Sequence, residues 1–236
     1  MVRCTIIRTL YDIFQEVSLP RTKGKKPLSR ERILRAAVKY ADKKGIESLN
    51  MRQLAGLLDT GAMSLYHYFA SKDQLLDAMV EFVAAKINQP KPGQPWRDAI
   101  TDISVSAHQV MMKHGWVSGI WSKQTLGPNK LAFMESILRV LREAGFSVAD
   151  ACDAYHAMTV HIEGFALQAT AFPVKAMDVQ SAAAGFLEAV EDAESIPYFV
   201  EHVRHHLDHP GGSDPFGMML SIILDGFETR LNKISA

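Results

Sequence analysis

The sequence predicts an all-α protein, on three observations. From residue 28 onward, apolar side chains recur at helical spacing in one segment after another. No stretch shows sustained alternation of apolar and polar residues or a strong hairpin signal, so we expect no β-sheet. Proline stands at or near four of the predicted helix starts, where its missing N–H group costs no hydrogen bond: Pro95, Pro128, Pro197 and Pro215.

Residues 1–27 are predicted to form an N-terminal extension. Apolar residues between positions 6 and 14 have helical spacing without a signal-peptide cleavage pattern, so this part is either a short docking helix or a poorly ordered leader. Residues 20–27, PRTKGKKP, form a basic arm interrupted by proline and glycine. Such an arm either follows the phosphates or enters the minor groove of a nucleic acid, or it is a plain flexible leader.

Four helices are predicted between residues 28 and 89. Ser29 caps the first helix, which continues to about Lys44 and ends at Gly45. Asn50 caps the second helix, and the side chain of Gln53 is expected to reach back to it as in a capping box. The turn and capping residues give the bounds of the last three of these helices. The second, third and fourth helices are predicted to span 51–58, 62–69 and 71–83.

The segment 88–95, NQPKPGQP, holds three prolines and one glycine and cannot continue a helix. It is either a tight elbow or a domain boundary, and we divide the chain here into domains 28–89 and 90–236. The second part is predicted to be helical throughout, with helices at 96–114, 116–124, 128–144, 148–171, 197–209 and 215–232.

The charge is divided between these two parts of the chain. The full sequence has 26 Lys and Arg and 26 Asp and Glu residues, so its formal net charge is zero. Residues 1–89 carry 15 basic and 9 acidic residues, whereas residues 90–236 carry 11 and 17. A net charge of +6 beside one of −6 indicates two modules with different partners, although a basic run is usually a solvated helix face.

Several classes of protein are disfavoured. No apolar run approaches the roughly 20 residues of a membrane-spanning helix. Cys4 and Cys152 are too few for a disulfide framework, so we expect a cytoplasmic protein in which Cys152 is packed inside a helix. Phosphate-binding loops, nucleophile elbows and zinc-protease motifs are absent from the sequence. We therefore predict no enzyme activity, no catalytic residues and no cofactor.

Two short helices joined by a three-residue turn have the dimensions of a helix-turn-helix, whose second helix enters the major groove of DNA. Ala55 is small where the two helices cross, and Leu54, Leu58 and Leu65 fill the space between them. Asp59 occupies the turn position where glycine is usual. This departure is mild, because aspartate tolerates the left-handed backbone better than most residues.

The most specific signals lie within residues 28–80, LSRERILRAAVKYADKKGIESLNMRQLAGLLDTGAMSLYHYFASKDQLLDAMV. They are the GIESLNMRQLA run, the LYHYF ending of the second short helix and the SKDQLL start of the next. Together they closely resemble the N-terminal domain of the TetR family of transcriptional regulators. Residues 211–230, GGSDPFGMMLSIILDGFETR, are similar to the last helix of tetracycline-repressor-like C-terminal domains. The resemblance implies a helix-turn-helix DNA-binding domain followed by a helical ligand-binding and dimerisation domain.

The resemblance also implies which residues meet a double-stranded DNA operator. Family positions near base edges are occupied by Arg52, Ala62, Met63 and Ser64, and those that touch phosphates by Tyr66, His67, Tyr68 and Lys72. The second helix has no Asn, Gln or Arg, so DNA shape is expected to contribute to recognition. The alternative for the tyrosines is that one of Tyr66 and Tyr68 packs inside with Phe69; Leu65 is assigned to the core.

For the second half of the chain, the resemblance implies a homodimer whose subunits pair through a four-helix bundle formed by segments 148–171 and 215–232. It also implies a cavity for a small-molecule effector of unknown identity. Such apolar residues at helical spacing are more often plain core, but as a set they permit a cavity; the candidate lining residues are Met111, Met112, Trp116, Trp121, Phe133, Met134, His156 and Phe165, with His108 and His161 as polar groups. The residues that hold magnesium–tetracycline in the tetracycline repressor have no convincing counterparts here.

The sequence is therefore interpreted as a ligand-responsive DNA-binding regulator, a repressor released from a palindromic operator by a small molecule. Two alternatives stay open. One is a dimeric DNA-binding regulator without a small-molecule ligand. The other is a helical metal-binding protein, because four histidines have spacings that place three on one helix face: His202, His205, His206 and His209. We favour a solvated, histidine-rich helix end and predict no metal site.

Overall fold

The computed structural model describes residues 27–171, 179–190, 192–208 and 214–234, and these residues form ten α-helices and no strand. The all-α prediction is therefore confirmed for the described part of the chain. The first four helices form the head of the molecule: α1 (Arg30–Lys44), α2 (Met51–Leu57), α3 (Ala62–Tyr66) and α4 (Lys72–Ala84). The remaining six form the body: α5 (Trp96–Lys113), α6 (Pro128–Glu143), α7 (Val148–Ala171), α8 (Val179–Ala189), α9 (Pro197–Asp208) and α10 (Pro215–Ile234).

Side-chain caps explain where the head helices begin. The Ser29 hydroxyl accepts the N–H of Arg32, and the Ser71 hydroxyl accepts the N–H of Gln74. Gln74 returns the contact, because its side-chain oxygen accepts the N–H of Ala70, the residue before the cap. At the other end of α1, Gly45 has a φ of 81°, a left-handed conformation that suits glycine and ends the helix.

The second helix departs from the predicted capping box. Asn50 caps it as expected, since its side-chain oxygen accepts the N–H of Gln53 at 2.9 Å. The side chain of Gln53 does not reach back; its oxygen accepts the hydroxyl of Tyr40 on α1 at 3.1 Å. That expectation was wrong because a residue on a neighbouring helix competes for the same side chain.

One continuous hydrophobic core joins head and body. In the head, the side chains of Leu54, Leu65 and Phe69 are fully buried; α1 packs against α2 and α4, and α2 packs against α3. In the body, α7 packs against α5, α6 and α10, while α8 and α9 pack against each other. Because α4 also packs against α5 and α6, the head is attached to the body along the length of a helix and not through a loop alone.

Three sequence-based expectations about elements need correction. Residues 116–124 do not form a continuous α-helix but two short 3-10 helices, Gly115–Val117 and Trp121–Lys123, separated by a turn. The helix α8 was missed altogether, and α3 ends at Tyr66, so it is shorter than the 62–69 segment predicted. The extension and basic arm up to residue 26 lie outside the described residues.

Two further observations concern the surface. Cys152 is exposed on α7, so the expectation that it is packed was wrong; helical periodicity alone does not tell which face of a long helix is covered. Among the residues described, no helix combines the length and hydrophobicity needed to cross a membrane.

The burial pattern of α2 predicts the effect of two leucine substitutions. Leu54 is fully buried and Leu57 is 59% exposed on the same helix. We expect Leu54→Ala to lower the free energy of unfolding by about 2–5 kcal/mol, because it removes a buried side chain and leaves a cavity. Leu57→Ala is the matched control and should change it by less than about 0.5 kcal/mol. Urea unfolding followed by circular dichroism at one protein concentration measures both, and equal effects would contradict the described core.

Candidate nucleic-acid interface and neighbouring cavities

The turn between α2 and α3 sets the direction of α3. Asp59 has a φ of 52°, so it adopts the left-handed conformation that the sequence predicted for this position. Two backbone hydrogen bonds close the turn: Asp59 N–H donates to the Gly56 carbonyl at 3.2 Å, and Thr60 N–H donates to the Ala55 carbonyl at 3.0 Å. Leu65 is fully inaccessible to solvent, so the face of α3 that carries Leu65 packs against the core.

The eight residues predicted to meet DNA are not equally accessible. Five are exposed: Arg52, Met63, Tyr66, His67 and Lys72. Three are partly buried: Ala62, Ser64 and Tyr68. Met63 stands out at 74% exposure, since methionine is an apolar side chain that a folded domain normally covers. Lys72 lies in the first turn of α4, where the Ser71 cap fixes the helix start.

The two tyrosines near the end of α3 differ in their contacts. The Tyr68 hydroxyl donates to the carbonyl of Leu28 at 2.8 Å, and the Tyr68 carbonyl accepts a hydrogen bond from Arg30 Nη1 at 2.8 Å. The Arg30 guanidinium also lies 4.2 Å from the centre of the Phe69 ring. Tyr68 thus ties the start of α1 to the end of α3, and a phosphate could accept its hydroxyl proton only if the bond to Leu28 broke. Tyr66, at 43% exposure, has no such restriction.

Helix α4 connects this surface to the body. Near its end, the Glu81 carboxylate accepts the N–H groups of Asn129 at 2.7 Å and Lys130 at 3.1 Å, which are free donors at the start of α6. One turn earlier, Asp77 accepts the N–H of Thr125 at 3.0 Å. A side chain of α4, Glu81, therefore caps the start of α6 in the body.

A second contact between head and body centres on a buried histidine. His114 is 3% exposed, and its Nδ1 lies 2.8 Å from the carboxylate of Asp42 on α1. Its Nε2 lies 3.0 Å from the ammonium of Lys86, and Trp116 Nε1–H donates to the same Asp42 oxygen at 2.8 Å. Because an ammonium group only donates, Nε2 accepts and Nδ1–H donates to Asp42. Burial lowers the pKa of Lys86, the positive charge of Lys113 lowers it further, and Asp42 opposes both.

The residues predicted to line an effector cavity are distributed over several places. Trp116 belongs to the contact with Asp42, and Met111 is buried in the core. Phe165 joins a ring cluster with His108, His161 and Phe216. Met112 and His156 are exposed. Trp121 and Phe133 pack edge to face with ring centres 6.0 Å apart, and Trp121 and Met134 line one cavity.

That cavity has a volume of about 280 Å³ and lies between the 3-10 turn Trp121–Lys123, α6 and α7. Sequence reasoning missed most of its polar residues. Lys130 looks like a solvent-facing residue in the first turn of a helix, yet it is 3% exposed. No pattern in the sequence signals this burial, because it depends on the loop before α6 folding over the lysine. The lining residues are Trp121, Ser122, Gln124, Leu126, Lys130, Met134, Tyr155 and Glu163.

The ring cluster near the start of α10 contains two histidines that both stack on one phenylalanine. The Phe216 ring stacks on His108 at 4.0 Å and on His161 at 4.6 Å between ring centres. His161 Nε2–H donates to the Phe216 carbonyl at 3.0 Å, whereas the buried Nδ1 of His108 has no hydrogen-bond partner among the described residues. Burial lowers the pKa of His108; Asp214 opposes this shift and the nearby His161 adds to it.

The four histidines of segment 202–209, on which the alternative metal-binding hypothesis depends, are only partly described by the structure. Within the described ranges, no three His, Cys, Asp or Glu residues are grouped as metal ligands. The side chain of His206 and the whole of His209 lie outside the described residues.

An exposed short helix after a tight left-handed turn, in a head of four helices that is followed by a helical body, defines a helix-turn-helix protein with a second helical domain. Residues 33–79 match the family described as bacterial regulatory proteins, tetR family, and residues 89–231 match the tetracyclin repressor-like C-terminal domain. The chain belongs to the tetR family of bacterial regulatory proteins. The matched parts of the chain are therefore those of a family of transcriptional regulators, as predicted.

Two relatives and one solved structure illustrate this membership. An HTH-type transcriptional regulator from Saccharopolyspora erythraea is 34% identical over 139 residues, 58% of this chain and 59% of the relative. The HTH-type transcriptional repressor DrrR1 from Streptomyces coeruleorubidus is 34% identical over 146 residues, 60% of this chain and 54% of the relative. The chain thus spans less than two thirds of either relative. The TetR family protein ActR of Streptomyces coelicolor, in complex with actinorhodin, has a TM-score of 0.70 at 28% identity, covering 87% of this chain and 99% of ActR.

Asp42 offers a test of the contact between head and body. We expect Asp42→Ala to lower the free energy of unfolding by about 2–4 kcal/mol, because it leaves the His114 and Trp116 ring N–H groups buried without an acceptor. Glu135→Ala removes an exposed carboxylate from α6 and should change it by less than about 0.5 kcal/mol. Thermal or urea unfolding measures both variants. If Asp42→Ala were as stable as the control variant, the described network would not hold the junction.

His108 offers a test by pH. Its lowered pKa in the folded protein means that the unfolded chain takes up the proton first, so stability is complete above the unfolded value of 6.5 and is lost as the pH falls below it. His108→Phe keeps a ring against Phe216 and removes the titrating group. We expect it to raise Tm relative to wild type by more at about pH 5.5 than at about pH 8. His156→Phe, at an exposed site, should show no such difference, and an equal gain of Tm for His108→Phe at both pH values would contradict the description.

Proposed function

We propose that the protein is a repressor that binds a palindromic DNA operator as a homodimer and is released by a small-molecule effector. The observation that carries the proposal is the outer face of α3, on which Met63 is 74% exposed while Leu65 behind it is fully buried. A five-residue helix gains little from its own hydrogen bonds, and folding gives no reason for an apolar side chain at its outer face. A thymine methyl group in the major groove does give a reason. The relative DrrR1 is a transcriptional repressor, which supports the same direction of control.

We assign residues 28–89 to DNA binding. Arg52, Ala62, Met63 and Ser64 are proposed to face base edges, and Tyr66, His67 and Lys72 to face phosphates. Tyr68 is proposed to support α3 through its bond to Leu28, and to reach a phosphate only if that bond opens. With few base-reading donors on α3, recognition would depend strongly on Arg52 and on DNA shape.

We assign residues 90–236 to effector binding and dimerisation. Support for a homodimer comes from apolar side chains that α7 and α10 leave uncovered: Val160 at 71%, Leu167 at 50%, Met218 at 50% and Ile222 at 63% exposure. A second copy would cover both helices in a four-helix bundle and place two copies of α3 about 34–36 Å apart, one turn of DNA. Such a regulator works in the cytoplasm, where its operator is.

Effector control would act through α4. Glu81 and Asp77 tie α4 to the start of α6, and the cavity beside Trp121 adjoins the same segment. A ligand that shifts α6 would shift α4 and with it Lys72 and the position of α3, which lowers operator affinity through coupling between the two sites. The complex of ActR with actinorhodin supports a small molecule as the controlling ligand.

Footprinting on the DNA that flanks the protein's own gene tests the proposed function. We expect a protected palindrome with the two half-sites separated by about one turn of DNA. Sedimentation or light scattering on the same sample should give the mass of a dimer. A chain that binds no sequence above background, or binds only as a monomer, would contradict the proposal.

Lys72 gives a sharper test of the DNA-facing surface. We expect Lys72→Ala to weaken binding to operator and to random DNA alike and to reduce the slope of log K against log salt by about 1, because one phosphate contact is lost. Lys91→Ala removes an exposed lysine from the proline-rich segment 88–95 and serves as the control. Fluorescence anisotropy across a salt series measures the slope. Equal affinity and equal slope for Lys72→Ala and wild type would remove this role.

A further inference from the structure

The cavity beside the 3-10 turn Trp121–Lys123 contains a buried lysine that lacks an ion-pair partner. Lys130 is 3% exposed, and it forms no salt bridge with any described residue. Lysine is almost never fully buried unless it is paired, because an isolated ammonium group loses its hydration. A buried ammonium group without a carboxylate partner therefore calls for an explanation.

The carboxylates in the neighbourhood are bonded to other groups. Glu81 accepts backbone N–H groups at the start of α6, and Asp77 accepts the N–H of Thr125. Glu163 lines the cavity and accepts the hydroxyl of Ser122 at 2.8 Å. Burial lowers the pKa of Lys130, and the charges of Glu81, Glu163 and Asp77 oppose that shift without replacing a direct counter-ion.

The ammonium group of Lys130 is held in a fixed position with one donor left over. It donates to the carbonyls of Trp121 at 2.8 Å and Gln124 at 3.0 Å, and it lies 5.4 Å from the centre of the Trp121 ring. An ammonium group has three N–H donors, so one has no acceptor among the described residues. The side chain of Tyr155, on α7, also lines the cavity.

The remaining walls are apolar and include an aromatic face. Trp121, Leu126 and Met134 line the cavity together with the polar groups. A volume of about 280 Å³ is close to the lower end of the roughly 300–1,000 Å³ range of small-molecule sites, so it suits a ligand of one or two rings. A ligand with a planar ring and an anionic oxygen could pack its ring against Trp121 and accept a hydrogen bond from Lys130 with its oxygen.

We propose that this cavity is the effector site and that it binds an aromatic carboxylate, whose oxygen accepts the third N–H of Lys130. The ligand supplies the direct salt-bridge partner that Lys130 does not have among the described residues. The role of the ligand as an effector rests on the proposed function, whereas its binding to the cavity does not require DNA.

Charge selectivity tests the proposal on the wild-type protein. Three probes share one ring system and differ in charge: 2-naphthoate, 2-naphthamide and 2-naphthylmethylammonium. We expect isothermal titration calorimetry on the full chain to show 2-naphthoate binding at least about tenfold more tightly than the amide, and the cation binding more weakly still. A preference for the cation, equal affinities, or no binding of 2-naphthoate at millimolar concentration would overturn the proposal.

Two lysine variants locate the effect. Lys130→Met should weaken 2-naphthoate at least about tenfold and leave 2-naphthamide nearly unchanged, because only the charged contact is lost. Lys123→Met removes an exposed lysine from the adjacent 3-10 turn and should leave both affinities as in wild type. A folded Lys130→Met that retains the affinity for 2-naphthoate would overturn the proposal. If Lys130→Met does not fold, the selectivity of the wild-type protein still decides.

The outcome for the cavity can be separated from the outcome for the proposed function. The titrations contain no DNA, and the footprinting contains no naphthalene compound. If the protein binds 2-naphthoate through Lys130 but protects no DNA, the proposed repressor function is contradicted and the proposed anion site is supported. If it protects an operator but shows no charge selectivity, the repressor function is supported and the anion site is contradicted.

Discussion

The contact on which the rest of the structure depends is that between the Glu81 carboxylate and the first backbone N–H groups of α6. A helix start has donors that the helix itself cannot satisfy, and here a side chain from the head satisfies two of them. Head and body therefore cannot move independently without exposing those donors. Since Lys72 begins the helix that contains Glu81, the position of the proposed DNA-binding surface and the position of α6 are linked through one helix.

The Asp42 network fixes the other side of the same junction. The carboxylate of Asp42 on α1 accepts the ring N–H groups of His114 and Trp116. The ammonium group of Lys86, just after α4, donates to the other ring nitrogen of His114. Buried hydrogen bonds of this kind contribute little when complete and cost much when broken. The junction therefore favours a small number of discrete arrangements over a continuous range, which is what a regulator that alternates between bound and released states requires.

Local sequence signals predicted the local structure well. The Ser29 and Ser71 caps, the stop at Gly45 and the left-handed Asp59 all follow from residues within one turn of chain. Features set by distant residues could not be predicted in this way. Gln53 binds Tyr40 of another helix, Lys130 is covered by a loop, and His114 meets Asp42 across 72 positions. The residues proposed to face DNA came from a family resemblance, whereas no sequence pattern pointed to the polar residues that line the cavity.

The partition of charge has a consequence for motion in an electric field. With zero net charge, the chain as a whole feels almost no force in a uniform field, but its charge is divided along the sequence, with +6 in residues 1–89 and −6 in residues 90–236. Near a polyanion the field is strong and non-uniform, so it attracts the first part and repels the second, which favours one orientation before any contact forms. This alignment acts over about one Debye length, about 8 Å at physiological salt, and fades as salt rises. Orientation would thus precede recognition, although the charges of the molecule as a whole cancel.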